Sequence, residues 1–140
     1  MEITKIDVGV KDYFKTFPTE HCYYFYPHFN LDDKILLLDK YNRVLNYVVN
    51  NDFIMLRQHE KALISTGYMF TKIPENCILQ AFSCVNQYLA NHLEVIPQYF
   101  EPDILKENPL SVYIINKEVE QTILTKNMVL CCVSLNKMGG

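Results

Sequence analysis

Short apolar stretches rich in β-branched and aromatic residues recur along this chain, which is the pattern of β-strands. Residues 2–10 are rich in β-branched residues and predict a first strand. The same signal, bounded by proline, glycine or polar residues, predicts further strands at Cys22–Tyr26, Tyr68–Ile73, Val112–Ile115 and Met128–Leu135. The chain is therefore expected to contain a sheet.

Residues 31–49 fit two different patterns. In a hairpin, Ile35–Leu38 and Val44–Val49 would be strands on either side of a turn at Asp39–Arg43. In a helix, Asn30 would be the N-cap and one face would be apolar, formed by Leu37, Tyr41, Val44, Leu45 and Val48. Because the helix accounts for more of the residues, we predict a helix here.

Three later segments are also predicted to be helices, and a fourth to form a single helical turn. A helix over about 53–66 would be capped by Asp52 and would end at Gly67. The clearest helical pattern covers 77–94, with an apolar stripe formed by Ile78, Phe82, Val85, Leu89 and Leu93. A shorter helix is predicted near 118–125, and a single helical turn near Asp103–Lys106. Together these elements predict one α+β domain over residues 1–140, with about three main helices on a small, mostly antiparallel sheet.

Aromatic residues are concentrated in one segment, since eight of the 18 in the chain lie between positions 13 and 29. A strand buries only alternate residues, so two short segments interrupted by Pro18 and Pro27 are not expected to turn all eight rings inward. We therefore predict a contact surface in this segment, with binding residues Tyr13, Phe17, Tyr23, Tyr24, Tyr26 and Phe29.

Composition excludes several classes of protein. The net charge of −3 and the scattered lysines give no basic stripe, so no nucleic-acid partner is predicted. No apolar run approaches the ~20 residues of a membrane span, and the five cysteines show no repeated spacing. These features predict a cytoplasmic protein without a membrane partner. The excess of Ile, Asn, Lys, Tyr, Phe and Met is typical of AT-rich genomes, such as those of many phages, large DNA viruses, parasites and low-GC bacteria. For a viral protein, the location would be the host cytoplasm.

Few residues have the context that catalysis requires. The helix predicted over 77–94 places His92 within its apolar stripe, and the helix over 53–66 does the same with Glu60. Partly buried side chains explain both more simply, since a backbone carbonyl could satisfy His92 and the carboxylate of Glu60 could reach water at a helix edge. Cys22 is a third candidate, because a cysteine nucleophile and its histidine need not be close in sequence.

The chain also lacks the motifs of common cofactor and metal sites. His21, Cys22 and His28 do not have the paired spacing of a structural zinc site, so no metal is predicted. With only four glycines, the chain has neither a P-loop nor a dinucleotide-binding fingerprint, and no cofactor is predicted.

Two functional hypotheses follow from these observations. The first is a non-enzymatic interaction or assembly subunit, of viral or phage origin, that binds a protein partner or forms a homo-oligomer through residues 13–29. The alternative is a small hydrolase or transferase that uses Cys22, Glu60 and His92. Gly139-Gly140 matches a protease processing site as well as an ordinary chain end.

Overall fold

A computed structural model describes residues 1–15, 22–29, 34–49, 52–105 and 107–138, and within them the chain is mostly β. The first seven strands are β1 (Glu2–Lys5), β2 (Phe14–Lys15), β3 (Cys22–Phe25), β4 (Lys34–Leu38), β5 (Val44–Val48), β6 (Phe53–Arg57) and β7 (Lys61–Ser65). They are followed by β8 (Tyr68–Thr71), β9 (Cys77–Phe82), α1 (Val85–Asn91), β10 (Leu93–Val95), β11 (Gln98–Phe100), α2 (Pro102–Leu105), β12 (Ser111–Asn116), β13 (Gln121–Thr125) and β14 (Cys131–Lys137).

The strands form two five-stranded sheets and two strand pairs. One sheet has the order β10-β12-β7-β4-β5 and the other has the order β11-β9-β14-β3-β2. The remaining pairs are β1 with β8 and β13 with β6. Neighbouring strands of the described residues run antiparallel.

Side chains from both sheets meet in one hydrophobic core. Along β3 and β6, buried residues alternate with more exposed ones, as expected for strands with one face turned inward. The core includes Phe25, Leu56, Phe70, Leu79 and Val112, all fully enclosed. Neither described helix has the length and apolar character needed to cross a bilayer.

The α+β fold predicted from the sequence is wrong, and residues 31–49 illustrate why. Instead of a helix, β4 and β5 form a hairpin with Leu36 opposite Asn46. Asp39 stabilises its turn, because its Oδ1 accepts hydrogen bonds from the amides of Tyr41 and Arg43 at 2.8 and 2.9 Å. Asn42 adopts a left-handed conformation there, with φ of 61°. The predicted cap, Asn30, lies outside the described residues.

The helix predicted over 53–66 is also wrong, because the segment forms two strands that belong to different sheets. Strand β6 pairs with β13, whereas β7 lies between β12 and β4. Between β6 and β7 the chain turns at His59, which has φ of 70°. Side chains that share a helical face in projection are therefore distributed over two sheets.

The same correction applies to the helices predicted at 77–94 and 118–125. The first segment contains β9, the short helix α1 and β10, and the second contains β13. Val85 and Leu89, assigned to the apolar stripe, are 70% and 67% exposed, whereas Leu79 is buried in β9. Pairing of β9 with β14 and β11 overrides the helical pattern.

Several local predictions are confirmed. Strands β3, β8 and β12 lie within two residues of their predicted bounds, and α2 provides the expected helical turn. Strand β14 begins three residues later than predicted, and the first strand ends earlier, at Lys5.

Candidate functional site on the outer face of strand β3

Strand β3 separates the aromatic segment into an inner and an outer set of side chains. Tyr23 and Phe25 point inward and are buried, whereas Cys22 and Tyr24 point outward and are half-buried. The alternation follows from the pleat of the strand, which sends successive side chains to opposite faces.

The inward rings form a compact group that we call the inner ring cluster: Tyr13, Tyr23, Phe25, Tyr68 and Phe70. The ring of Tyr13 stacks on Phe25 with centroids 5.3 Å apart, and it meets the rings of Tyr23 and Tyr68 edge-on. Phe25 also contacts Tyr68 and Phe70 at 5.2 and 5.5 Å. These contacts anchor β3 to β8 and to the segment before β2.

The Tyr68 hydroxyl connects this cluster to the backbone of residues 11–13. It donates a hydrogen bond to the carbonyl of Lys11 at 2.8 Å and accepts one from the amide of Tyr13 at 3.2 Å. Burial raises the pKa of Tyr68, so the hydroxyl keeps the proton that it donates. The position of the segment that carries Lys11 and Phe14 is therefore fixed from inside the core.

On the opposite side of β3 lies a group that we call the outer aromatic face: Lys11, Phe14, Tyr24 and Tyr26. Phe14 meets Tyr24 edge-on at 4.9 Å and lies 5.9 Å from Tyr26. The Lys11 ammonium lies 3.9 Å from the centroid of the Tyr26 ring, within the range of a cation–π contact. Partly exposed rings next to a cation form a surface that can stack against a planar ligand and contact its negative charge.

A shallow groove of about 160 Å³ adjoins this face, lined by Tyr24, Phe82, Ser83, Cys84, Val85, Asn86 and Cys132. The Sγ atoms of Cys22 and Cys132 are 2.8 Å apart. Burial raises the pKa of the Cys132 thiol, and the adjacent Cys22 raises it further. Burial likewise raises the pKa of Tyr24, and the nearby thiols add to that increase. The Cys132 thiol and the Tyr24 hydroxyl are therefore neutral at neutral pH.

A second pocket, of about 260 Å³, lies on the other side of Lys11. We call it the cationic pocket, and its walls are Gly9, Lys11, Pro27, His28, Phe29, Lys126 and Asn127. Lys11 belongs both to this pocket and to the outer aromatic face, because its Nζ also lies 3.3 Å from Oδ1 of Asn127. The two regions are therefore continuous through one side chain.

The structure distributes the predicted binding residues over three places. Tyr24 and Tyr26 lie on the outer aromatic face, while Tyr23 is buried. Tyr13 and Phe29 are partly buried against the core. Phe17 lies outside the described residues.

The predicted catalytic candidates lie in three separate environments. Cys22 contacts Cys132, and Oε1 of Glu60 accepts a hydrogen bond from the backbone amide of Arg57 at 2.6 Å. Nδ1 of His92 lies 3.5 Å from Oε2 of Glu118, and its backbone ends α1 with φ of 59°. These contacts do not bring the three candidates together. In the described part of the chain, no three histidine, cysteine or acidic side chains are arranged to hold a metal ion.

Sequence reasoning missed Lys11 and Lys126 as site residues. They are 115 positions apart in the chain, and no local motif surrounds either lysine. Only the packing of the β13–β14 turn against the segment before β2 brings them to one pocket.

Comparison with known proteins gives a match at the level of structure. No family model matches the chain, and the search of curated protein sequences also gives no match. Among solved structures, the chain is similar to a mutant of the Staphylococcus bacteriophage 80alpha dUTPase with dUpNHpp. The TM-score is 0.69, with 11% sequence identity, over 99% of this chain and 90% of that chain.

This likeness shows a dUTPase-like β fold and corrects the functional predictions made from the sequence. The prediction of a non-enzymatic interaction or assembly subunit is wrong, because the matched structure is that of an enzyme. The alternative, a hydrolase or transferase that uses Cys22, Glu60 and His92, is not supported, since their contacts lie apart.

Proposed function

We propose that this chain binds a pyrimidine nucleoside triphosphate such as dUTP on the outer aromatic face. The observation that carries the proposal is the match, over nearly the whole chain, to a phage dUTPase with the nucleotide analogue dUpNHpp. The chemistry of the outer aromatic face suits such a ligand, because it combines a group of partly exposed rings with a lysine.

The rings are assigned to the base. Tyr24 and Tyr26 present outward side chains from one strand and the residue that follows it, and Phe14 lies beside both. Stacking of a base on such rings contributes about 1–3 kcal/mol per base. The inner ring cluster holds β3 in place, so the face is already ordered before a ligand binds.

The phosphates are assigned to the side of Lys11. Its ammonium is held between the Tyr26 ring and Asn127, and it therefore provides a positive charge at the edge of the aromatic face. Lys11, Phe14, Tyr24 and Tyr26 include no carboxylate that could act as a general base. We therefore propose binding, and hydrolysis of the nucleotide is measured separately.

Calorimetric titration of dUTP and dUpNHpp into the purified protein tests this proposal. We expect saturable binding that weakens at least about tenfold in Tyr24→Ala, because a stacking ring is lost. Tyr41→Ala is the matched control, since Tyr41 is exposed on the β4–β5 turn. Release of pyrophosphate from dUTP reports hydrolysis in the same samples.

Two results would contradict the proposal. One is the lack of measurable binding of either nucleotide at millimolar concentration. The other is equal affinity in the wild type and in Tyr24→Ala, which would place any nucleotide elsewhere on the surface.

We also propose that the chain forms a homo-oligomer. This is supported by large apolar side chains on the outer face of the β6–β13 pair, where Phe53, Met55 and Ile123 are 41%, 36% and 41% exposed. Met55 and Ile123 lie directly opposite each other across the two strands. Sedimentation velocity of the wild type and of Met55→Lys tests this, with a smaller, folded species expected for the variant.

We further propose that the protein is of phage or viral origin and that it is located in the host cytoplasm. They are supported by the likeness to a phage enzyme and by the composition of the chain.

A further inference from the structure

The cationic pocket contains a buried imidazole whose Nε2 makes no hydrogen bond within the described residues. The side chain of His28 is only 7% exposed. Its backbone amide donates to the carbonyl of Ser65 at 2.9 Å, which fixes the residue in the fold. A desolvated nitrogen without a hydrogen bond is unfavourable, so such an atom inside a pocket indicates a position where a ligand atom binds.

Two lysines line the same pocket. Lys11 is positioned by Tyr26 and Asn127, as described above, and Lys126 lies 3.4 Å from Oδ1 of Asp52. Three nitrogen-bearing side chains therefore converge from three segments that are distant in sequence. The positive charges of the two lysines and the hydrogen-bonding nitrogens of all three side chains suit an oxyanion.

One carboxylate lies close to the imidazole. Oδ2 of Asp7 is 3.6 Å from Nε2 of His28, while its Oδ1 accepts a hydrogen bond from the amide of Gly9 at 2.8 Å. Asp7 is half exposed and is not part of the pocket wall. The negative charge of Asp7 would repel an anion in the pocket, so removing that charge should strengthen anion binding.

We propose that the cationic pocket is a phosphate-binding site, in which His28 Nε2 and the ammonium groups of Lys11 and Lys126 bind the oxygens of a phosphate chain. The inference rests on the proposed function in one respect: the bound phosphates are taken to be the triphosphate of a nucleotide. Lys11 links the pocket to the outer aromatic face, so the base and the phosphates occupy adjoining regions.

Calorimetric titration of inorganic triphosphate at low ionic strength tests the site without a base or sugar. Lys11→Gln and Lys126→Gln should each weaken binding about tenfold, because each removes a charge-assisted contact. Asp7→Asn should strengthen binding several-fold, because it removes the opposing charge. Lys117→Gln is the control, since Lys117 pairs with Glu94 outside the pocket wall and should leave the affinity unchanged.

His28→Gln provides a further variant, and its thermal unfolding is compared with that of the wild type. Weaker triphosphate binding in a folded His28→Gln protein supports the assignment of Nε2. If His28→Gln does not fold, the two lysine variants still test the pocket. Both lysines are exposed at the protein surface, so their replacement should leave the fold intact.

The outcomes separate this inference from the proposed function. Equal triphosphate affinity in the wild type and in both lysine variants overturns the phosphate site, as does weaker binding in Asp7→Asn. A different pair of results supports the pocket and contradicts the base site on the outer aromatic face. In that case Tyr24→Ala leaves triphosphate binding unchanged, and dUTP binds no better than triphosphate.

Discussion

The two faces of β3 differ in what their aromatic rings do, although the residues alternate along a single strand. Tyr23 and Phe25 join the inner ring cluster, where edge-on and stacked contacts hold three parts of the chain together. Tyr24 and Tyr26 carry the same kind of ring on the outer side, next to Lys11. The comparison shows that aromatic content alone does not assign a role, because the pleat decides which rings stabilise the fold and which are available to a ligand.

The largest expected difference between the faces is in stability. Phe25→Ala should lower the free energy of unfolding by about 3–5 kcal/mol, because it removes a fully buried ring that contacts three others. Tyr24→Ala should cost about 1 kcal/mol, since that side chain is only half-buried. Urea unfolding of both variants measures the two losses, and similar values would show that the faces are not separated as described.

A smaller effect is expected at the hydroxyl that connects the two faces. Tyr68→Phe keeps the ring but removes the donor to the Lys11 carbonyl and the acceptor for the Tyr13 amide. A loss of about 1–3 kcal/mol is expected, because both backbone groups lose a partner. Urea unfolding measures it against Tyr41→Phe, an exposed tyrosine. A loss no greater than that of Tyr41→Phe would contradict the anchoring role.

The smallest effect concerns alkaline pH. Burial raises the pKa of Tyr68 above the ordinary tyrosine value, so the folded state retains this proton more strongly than the unfolded state. The resulting stability is fully present below about pH 10 and is lost as pH rises through the folded-state pKa. Unfolding measured between about pH 9 and 11 should show a shallower decline in Tyr68→Phe than in Tyr41→Phe. Identical slopes would mean that Tyr68 ionises as easily in the folded protein as in the unfolded one.

The local pattern of residue types predicted several individual strands correctly, but it did not predict how the strands assemble into two sheets. Apolar stretches rich in β-branched and aromatic residues placed β3, β8 and β12 within two residues of their observed bounds. Helical spacing failed at 77–94, where Ile78 and Phe82 fit a helical stripe while lying in a strand whose buried residues are Leu79 and Ala81. A strand followed by a short helix can produce the same spacing of apolar residues as one continuous helix.

The candidate site could be predicted only in part for the same reason. The local concentration of aromatic residues pointed to Tyr24 and Tyr26, but which rings face outward depends on the pairing of β3 with β14 and β2. Lys11, His28 and Lys126 meet only through contacts between distant segments. Such contacts leave no local trace in the sequence.

The pairing of β3 with β14 has a consequence for how the protein acquires its shape. Tyr24 lies opposite Cys132, so β3 pairs with a strand that follows it by more than a hundred residues. Forming this pair early would close a very long loop, which is entropically costly, and sheets built on such distant partners assemble slowly. During synthesis on a ribosome, the rings of residues 13–26 emerge long before β14 does. Until then the edge of β3 that pairs with β14 is open to other chains, so the segment suited to ligand binding is also exposed to aggregation during biogenesis.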